Sequence, residues 1–106
     1  MSDWSALLPL ARRELHRNLP PPPKGGFRDG DHVDIAKLPL ALDGHAAAVL
    51  EARATCVGTA TVGKHLCFDL SVCGGLATAD DARLLHGRIR IDAATGAILD
   101  FTLALG

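Results

Sequence analysis

Residues 88–105, RIRIDAATGAILDFTLAL, carry the clearest fold signal in the chain. At both ends of this stretch apolar and polar residues alternate, which places every second side chain on one face of a β-strand. The AATG segment at residues 93–96 is typical of a turn, and Gly96 can adopt the positive φ that such loops often need. The stretch therefore predicts a closing β-hairpin.

A second strand is predicted at residues 65–72, where leucine, phenylalanine and valine alternate with histidine, cysteine, aspartate and serine. The Cys73-Gly74-Gly75 sequence is predicted to end this strand. The following residues 78–85 predict a short helical turn, because Thr78 has an aspartate three residues later, which is the spacing of a helix cap.

Two further strands precede these. A short strand holding Val33 and Ile35 is predicted to stop near Pro39. After an Asp43-Gly44 turn signal, another strand is predicted to begin at about Ala46 and to continue beyond Thr55.

The pairing of these strands requires an irregularity. Leu50 shares a predicted core face with Leu70 on the later strand, so even-numbered positions must pair with even ones. A two-residue loop at Gly63-Lys64 would pair even positions with odd ones. A bulge or a three-residue loop is therefore predicted, and Gly58 or Gly63 can supply it.

The N-terminal segment predicts an amphipathic helix over about residues 3–18, capped by Ser2 or Asp3. Pro9 leaves two alternatives, a kinked helix or a regular part that begins near Pro9. The prolines at 20–23 end the helix. One apolar stripe with helical spacing contains Trp4, Leu7, Leu8, Ala11, Leu15 and Leu19.

Together these elements predict an α+β fold, with one N-terminal amphipathic helix packed on a curled antiparallel sheet of four to five strands. The order of a helix followed by a meander resembles the cystatin-like arrangement. The length of 106 residues fits a single domain. We expect residues 1–19 to form the helix, 20–31 a Pro/Gly linker and 32–106 the sheet.

Residues 89–99, IRIDAATGAIL, resemble the closing hairpin of PepSY domains and of several lipoprotein-like sheets. The resemblance covers about a tenth of the chain and assigns no activity.

Charge and composition argue against several function classes. The formal net charge is −1 and only four residues are aromatic, so no nucleic-acid surface is expected. No apolar run approaches a membrane span or a signal peptide, and we expect a cytoplasmic protein, with no membrane partner. The alanine-rich composition, with more arginine than lysine, is typical of a GC-rich bacterium.

The charge is unevenly distributed, because residues 1–28 contain five basic and two acidic groups, whereas residues 29–106 contain six basic and ten acidic groups. We expect the basic helix to attract the acidic sheet, and the alternative is a site for an anionic partner. The arginines assigned to a candidate binding surface are Arg12, Arg13, Arg17, Arg88 and Arg90.

The three cysteines are not spaced to hold zinc, and none is expected to form a disulfide with another. The candidate reactive or metal site is the row of His65, Cys67 and Asp69 along one strand face. The three side chains can reach one metal ion or one another only if the strand bends, because alternate residues of a straight strand lie about 7 Å apart. No other metal site, catalytic residue or cofactor is predicted.

Residues 17–23, RNLPPPP, match the Arg-x-Leu-Pro-Pro-x-Pro pattern of ligands for SH3-type grooves. The same prolines are also typical of a stiff helix stop, and we expect them to act as a rigid spacer that docks the helix on the sheet.

No catalytic motif is assembled in the sequence, and the predicted sheet offers edge strands for pairing. The sequence therefore favours a small non-enzymatic protein-binding module of the inhibitor, immunity or adaptor type. A second copy of the chain could pair through a sheet edge or face. Two alternatives remain open: a small enzyme or metal site around His65, Cys67 and Asp69, and a fragment of a larger protein.

Overall fold

A computed structural model describes residues 3–106. It consists of one helix followed by five strands, joined in chain order into an open antiparallel meander, as the sequence predicted. The elements are α1 (Trp4–Asn18), β1 (His32–Leu42), β2 (His45–Val62), β3 (His65–Ala77), β4 (Ala82–Asp92) and β5 (Ile98–Leu105).

Helix α1 begins immediately after Asp3, whose carboxylate accepts hydrogen bonds from the Ala6 backbone N–H and the Ser5 hydroxyl. These bonds, the Ser5 hydroxyl first, lower the pKa of Asp3 below its ordinary value. The other predicted cap, Ser2, lies outside the described residues. The helix is continuous through Pro9, which excludes the second of the two alternatives, a regular part that begins near Pro9.

The apolar stripe of α1 packs into the concave face of the sheet, closest to β1, β2 and β5. Leu7, Ala11 and Leu15 are buried there. The core is almost entirely aliphatic. The sheet contributes Leu40, Ala48, Leu50, Ala52, Ala54, Cys56, Leu70, Val72, Leu76, Leu85, Ile89, Ile91 and Phe101.

The pairing of β2 with β3 confirms the predicted bulge. Leu50 pairs with Leu76 and Cys56 with Leu70, so even-numbered positions pair with even ones along the core. The register then shifts at Gly58, which has a φ of 141°, and the hairpin closes through the two-residue loop at Gly63-Lys64. One bulge therefore keeps the core side chains of both strands on the same face.

Two predicted strand ends are wrong, each for its own reason. β3 continues through Gly74 to Ala77, because Gly74 lies against the β2 backbone and a Cβ there would collide with the Glu51 carbonyl oxygen. β1 continues through Pro39 to Leu42, because β1 is an edge strand, where a missing N–H need not break a ladder hydrogen bond.

The helical turn predicted at 78–85 is also wrong. The Thr78 hydroxyl does accept a hydrogen bond from the Asp81 N–H, but the Thr78 N–H donates to the Asp81 carbonyl and closes a hairpin. β4 then begins at Ala82 and pairs with β3.

The segment between α1 and β1 packs on one end of the sheet. The Phe27 and Phe68 rings meet edge to face at 5.5 Å between centroids, and Gly26 leaves no room for a Cβ against the Phe68 ring. Pro22 lies against Gly96 in the β4–β5 turn. Within residues 3–106, no helix is long and apolar enough to cross a membrane.

Candidate functional site

The two edges of the sheet differ in regularity. Edge strand β1 carries register shifts between Ile35 and Leu38 and between Leu40 and Ala41. It also contains Pro39, which has no N–H, and Lys37, which has a φ of 46°. Bulges, proline and lysine are the features that natural sheets use to prevent pairing with another chain.

Edge strand β5 has none of these features between Asp100 and Leu105, and its pairing with β4 is regular there. The Gly106 N–H donates to the Leu84 carbonyl, which makes these two residues a hydrogen-bonded pair. Because such pairs alternate along an antiparallel ladder, the N–H and C=O groups of Phe101, Leu103 and Leu105 point away from β4. β4 is the only strand of residues 3–106 that pairs with β5, so these groups have no strand partner.

An open cleft of about 390 Å³ runs between α1 and the first half of β5. Pro9, Arg12, Arg13 and His16 line its helix side, and residues 98–101 line its strand side. The helix places these side chains together because positions 9, 12, 13 and 16 share one face at a period of 3.6 residues.

The Phe101 ring organises the cleft. It is buried against the core, and the Arg12 guanidinium carbon lies 5.3 Å from its centroid. The His16 ring stacks on the same phenylalanine at 6.4 Å between centroids and 17° between planes. Phe101 thus restricts the positions of two polar side chains that both remain exposed.

The cleft has an excess of positive charge. The only acidic residue that lines it is Asp100, whose carboxylate lies 3.6 Å from the Arg90 guanidinium on the neighbouring strand. Among residues 3–106, no carboxylate lies within ion-pair distance of Arg12 or Arg13. Arg17, one turn further along the helix, is 3.4 Å from Glu14 and does not line the cleft.

Arg88 and Arg90 alternate with the buried Ile89 and Ile91, so they project from the face of the sheet opposite the core. They lie 3.3 Å and 3.7 Å from Asp69, whose side chain is largely buried between them. The five candidate arginines therefore form two groups, with Arg12 and Arg13 at the cleft and the β4 arginines in an ion-pair network.

The structure separates the members of the His65, Cys67 and Asp69 row. His65 Nδ1 lies 3.1 Å from Asp92 Oδ2, whereas Asp69 is held by arginines. Cys67 has no exposed surface, and its thiol donates to the His65 carbonyl at 3.7 Å. Within the described part of the chain, no group of three or more histidine, cysteine or acidic side chains could hold a metal ion.

Asp92 is a polar residue that the sequence analysis did not single out. Its side chain is buried and accepts a hydrogen bond of 2.8 Å from the Ala94 N–H. This bond is the main cause that lowers the pKa of Asp92, and the Thr95 side chain and His65 act in the same direction. The Asp-x-x-Thr-Gly turn sequence at residues 92–96 was the feature of the sequence that could have identified this aspartate.

Cys73 and His86 form a second arrangement that sequence reasoning missed. They are direct cross-strand partners on the exposed face of β3 and β4. Direct cross-strand partners have Cβ atoms about 5 Å apart. This proximity depends on the pairing of two strands, so the spacing of residues within one strand does not reveal it.

Comparison of the chain with protein-family models, curated proteins and solved structures finds no match.

Proposed function

We propose that this protein is a non-enzymatic binding module, of the inhibitor, immunity or adaptor type, that receives an extended segment of a partner protein along the free edge of β5. The observation that carries the proposal is the difference between the two edge strands. β1 combines bulges, a proline and a positive-φ lysine, whereas β5 presents a regular and mostly apolar edge from Asp100 to Leu105, beyond the one register shift near its start.

Strand addition uses groups that β5 already offers. The outward N–H and C=O groups of Phe101, Leu103 and Leu105 can form the main-chain ladder of a sixth strand. A regular edge of this kind also promotes aggregation, which is why natural sheets usually protect it. An unprotected edge next to a preformed cleft is therefore consistent with a binding role.

The enzyme or metal alternative has less support from the geometry. Its proposed nucleophile, Cys67, is fully buried, and Asp69 faces arginines instead of His65.

The test selects random displayed peptides on the folded protein and compares two variants of Leu103. Proline at this position removes an outward N–H that β4 does not use, whereas alanine removes the side chain and keeps the N–H. Selected peptides should bind the wild type and Leu103→Ala but not Leu103→Pro. Hydrogen exchange should show new protection of the Phe101, Leu103 and Leu105 amides in the complex.

Circular dichroism must show that both variants keep the fold. If no peptide is enriched, or if enriched peptides bind Leu103→Pro as tightly as Leu103→Ala, the edge of β5 is not the binding site.

A further inference from the structure

The cationic side of the α1–β5 cleft lies next to the free strand edge, and this juxtaposition specifies the chemistry of the partner. We infer that the segment received by β5 is acidic and places its carboxylates against Arg12 and Arg13. This inference rests on the proposed function, because it assumes that a strand is added to β5.

The geometry of an added strand brings its side chains to these arginines. A sixth strand would lie about 4.8 Å from β5, and every second side chain would point toward the face that carries α1. At Phe101, the outward backbone groups border the cleft that Arg12, Arg13 and His16 line. A segment that forms backbone hydrogen bonds with Phe101 would therefore also place side chains next to the arginines of the cleft.

The two arginines are suited to carboxylates. A guanidinium presents a planar set of donors that can bind both oxygens of a carboxylate, and charge-assisted bonds of this type are among the stronger ones. The contact with the Phe101 ring already restricts Arg12 before a ligand arrives. Arg12 and Arg13 also have no carboxylate to release among residues 3–106, so binding an acidic segment breaks no existing ion pair.

A second copy of the chain fits this cleft less well. If two β5 strands paired, each cleft would face the β5 strand of the other copy. The only acidic residue of β5 is Asp100, which Arg90 already engages. Pairing of two copies would therefore leave Arg12 and Arg13 without a new carboxylate, whereas an acidic partner segment would supply one.

The experiment uses three synthetic peptides of eight residues, which match the length of β5. They alternate valine with glutamate, glutamine or lysine, and each is titrated into the full chain while the backbone amides are followed by NMR. Since a hydrogen bond to a charged group contributes more than a neutral one, we expect the glutamate peptide to bind about 10-fold or more tightly than the glutamine peptide. The lysine peptide should bind most weakly.

A pair of variants on one helix tests the assignment to the cleft. Arg13→Gln should remove most of the preference for glutamate over glutamine, whereas Arg17→Gln should keep it, because Arg17 lies outside the cleft. The glutamine peptide should bind both variants as it binds the wild type.

The outcomes separate the inference from the proposed function. If all three peptides protect the Phe101, Leu103 and Leu105 amides with equal affinity, strand addition stands and the acidic preference is overturned. If the glutamate peptide binds without protecting these amides, or if no peptide protects them, strand addition itself fails. A peptide-independent dimer in sedimentation velocity that protects the same amides would assign the edge to a second copy and overturn the inference.

Discussion

Truncating Leu15 to alanine measures how much α1 stabilises the sheet. The Leu15 side chain has no exposed surface and lies on the buried stripe of the helix with Leu7 and Ala11. A leucine-to-alanine change at a fully buried site costs about 2–5 kcal/mol, because it removes apolar contact and leaves a cavity. Folded domains have a total stability of only about 5–15 kcal/mol, so this one side chain contributes a large share.

The cost can be converted into a melting temperature. With an unfolding entropy of about 2.1 cal/mol/K per residue, a chain of this length loses roughly 4–5 °C for each kcal/mol. A loss of about 3 kcal/mol then lowers the midpoint by roughly 13 °C, which differential scanning calorimetry and urea titration both detect.

Leu84→Ala is the matched control, because it makes the same chemical change at a side chain that is 74% exposed. We expect it to change the stability by no more than about 0.5 kcal/mol. Equal melting temperatures for Leu15→Ala and Leu84→Ala, or an unchanged midpoint for Leu15→Ala, would show that α1 is not anchored in the core.

Three further predictions concern the sheet. Cys73 should be the only thiol that reacts rapidly with Ellman's reagent in the folded protein, since the other two cysteines are buried, and rapid labelling of a second thiol before unfolding would contradict this. Gly74→Ala should lower the melting temperature much more than Gly75→Ala, because a Cβ at Gly74 would overlap the β2 backbone whereas at Gly75 its nearest neighbour is 3.5 Å away. The lowered pKa of Asp92 adds stability that is present above the unfolded pKa of about 3.9 and is lost as the pH falls through the folded value. Thermal unfolding between about pH 6 and pH 2 should therefore show a smaller acid loss for Asp92→Asn than for the wild type.

Sequence periodicity predicted those features of the fold that depend on local pattern. The alternation at 65–72 and 88–105 predicted the strands. The need to pair even-numbered positions with even ones predicted either a bulge or a three-residue loop, and the structure has the bulge, at Gly58. The helical turn predicted at 78–85 failed although its capping signal is real, because the Thr78–Asp81 bonds close a turn just as well and the residues after them pair with β3. Tertiary pairing decided between two structures that the local sequence allowed equally.

The site was less predictable because its contacts join distant parts of the chain. The spacing of His65, Cys67 and Asp69 placed them along one strand, but the charged partners of His65 and Asp69 lie on β4, and strand spacing alone does not show which side chains face each other across two strands. In the same way, Arg12 was selected for its charge, whereas its contact with Phe101 depends on how α1 lies against the sheet.

Under the proposed function helix α1 has two roles, and they lie on different faces of the same element. One face buries Leu15 in the core, and the neighbouring face presents Arg12 and Arg13 to the cleft. Deleting residues 1–19 should therefore unfold or aggregate the sheet by exposing its concave face, and it would remove the cationic side of the cleft at the same time. Loss of binding by the truncated protein would therefore not show whether a ligand contact or the fold itself had been lost. Point substitution of Arg13, which is exposed and whose side chain has no partner in the core, changes the cleft and leaves the buried stripe intact. The contribution of α1 to stability and its proposed role in recognition can therefore be separated only by substituting one side chain at a time.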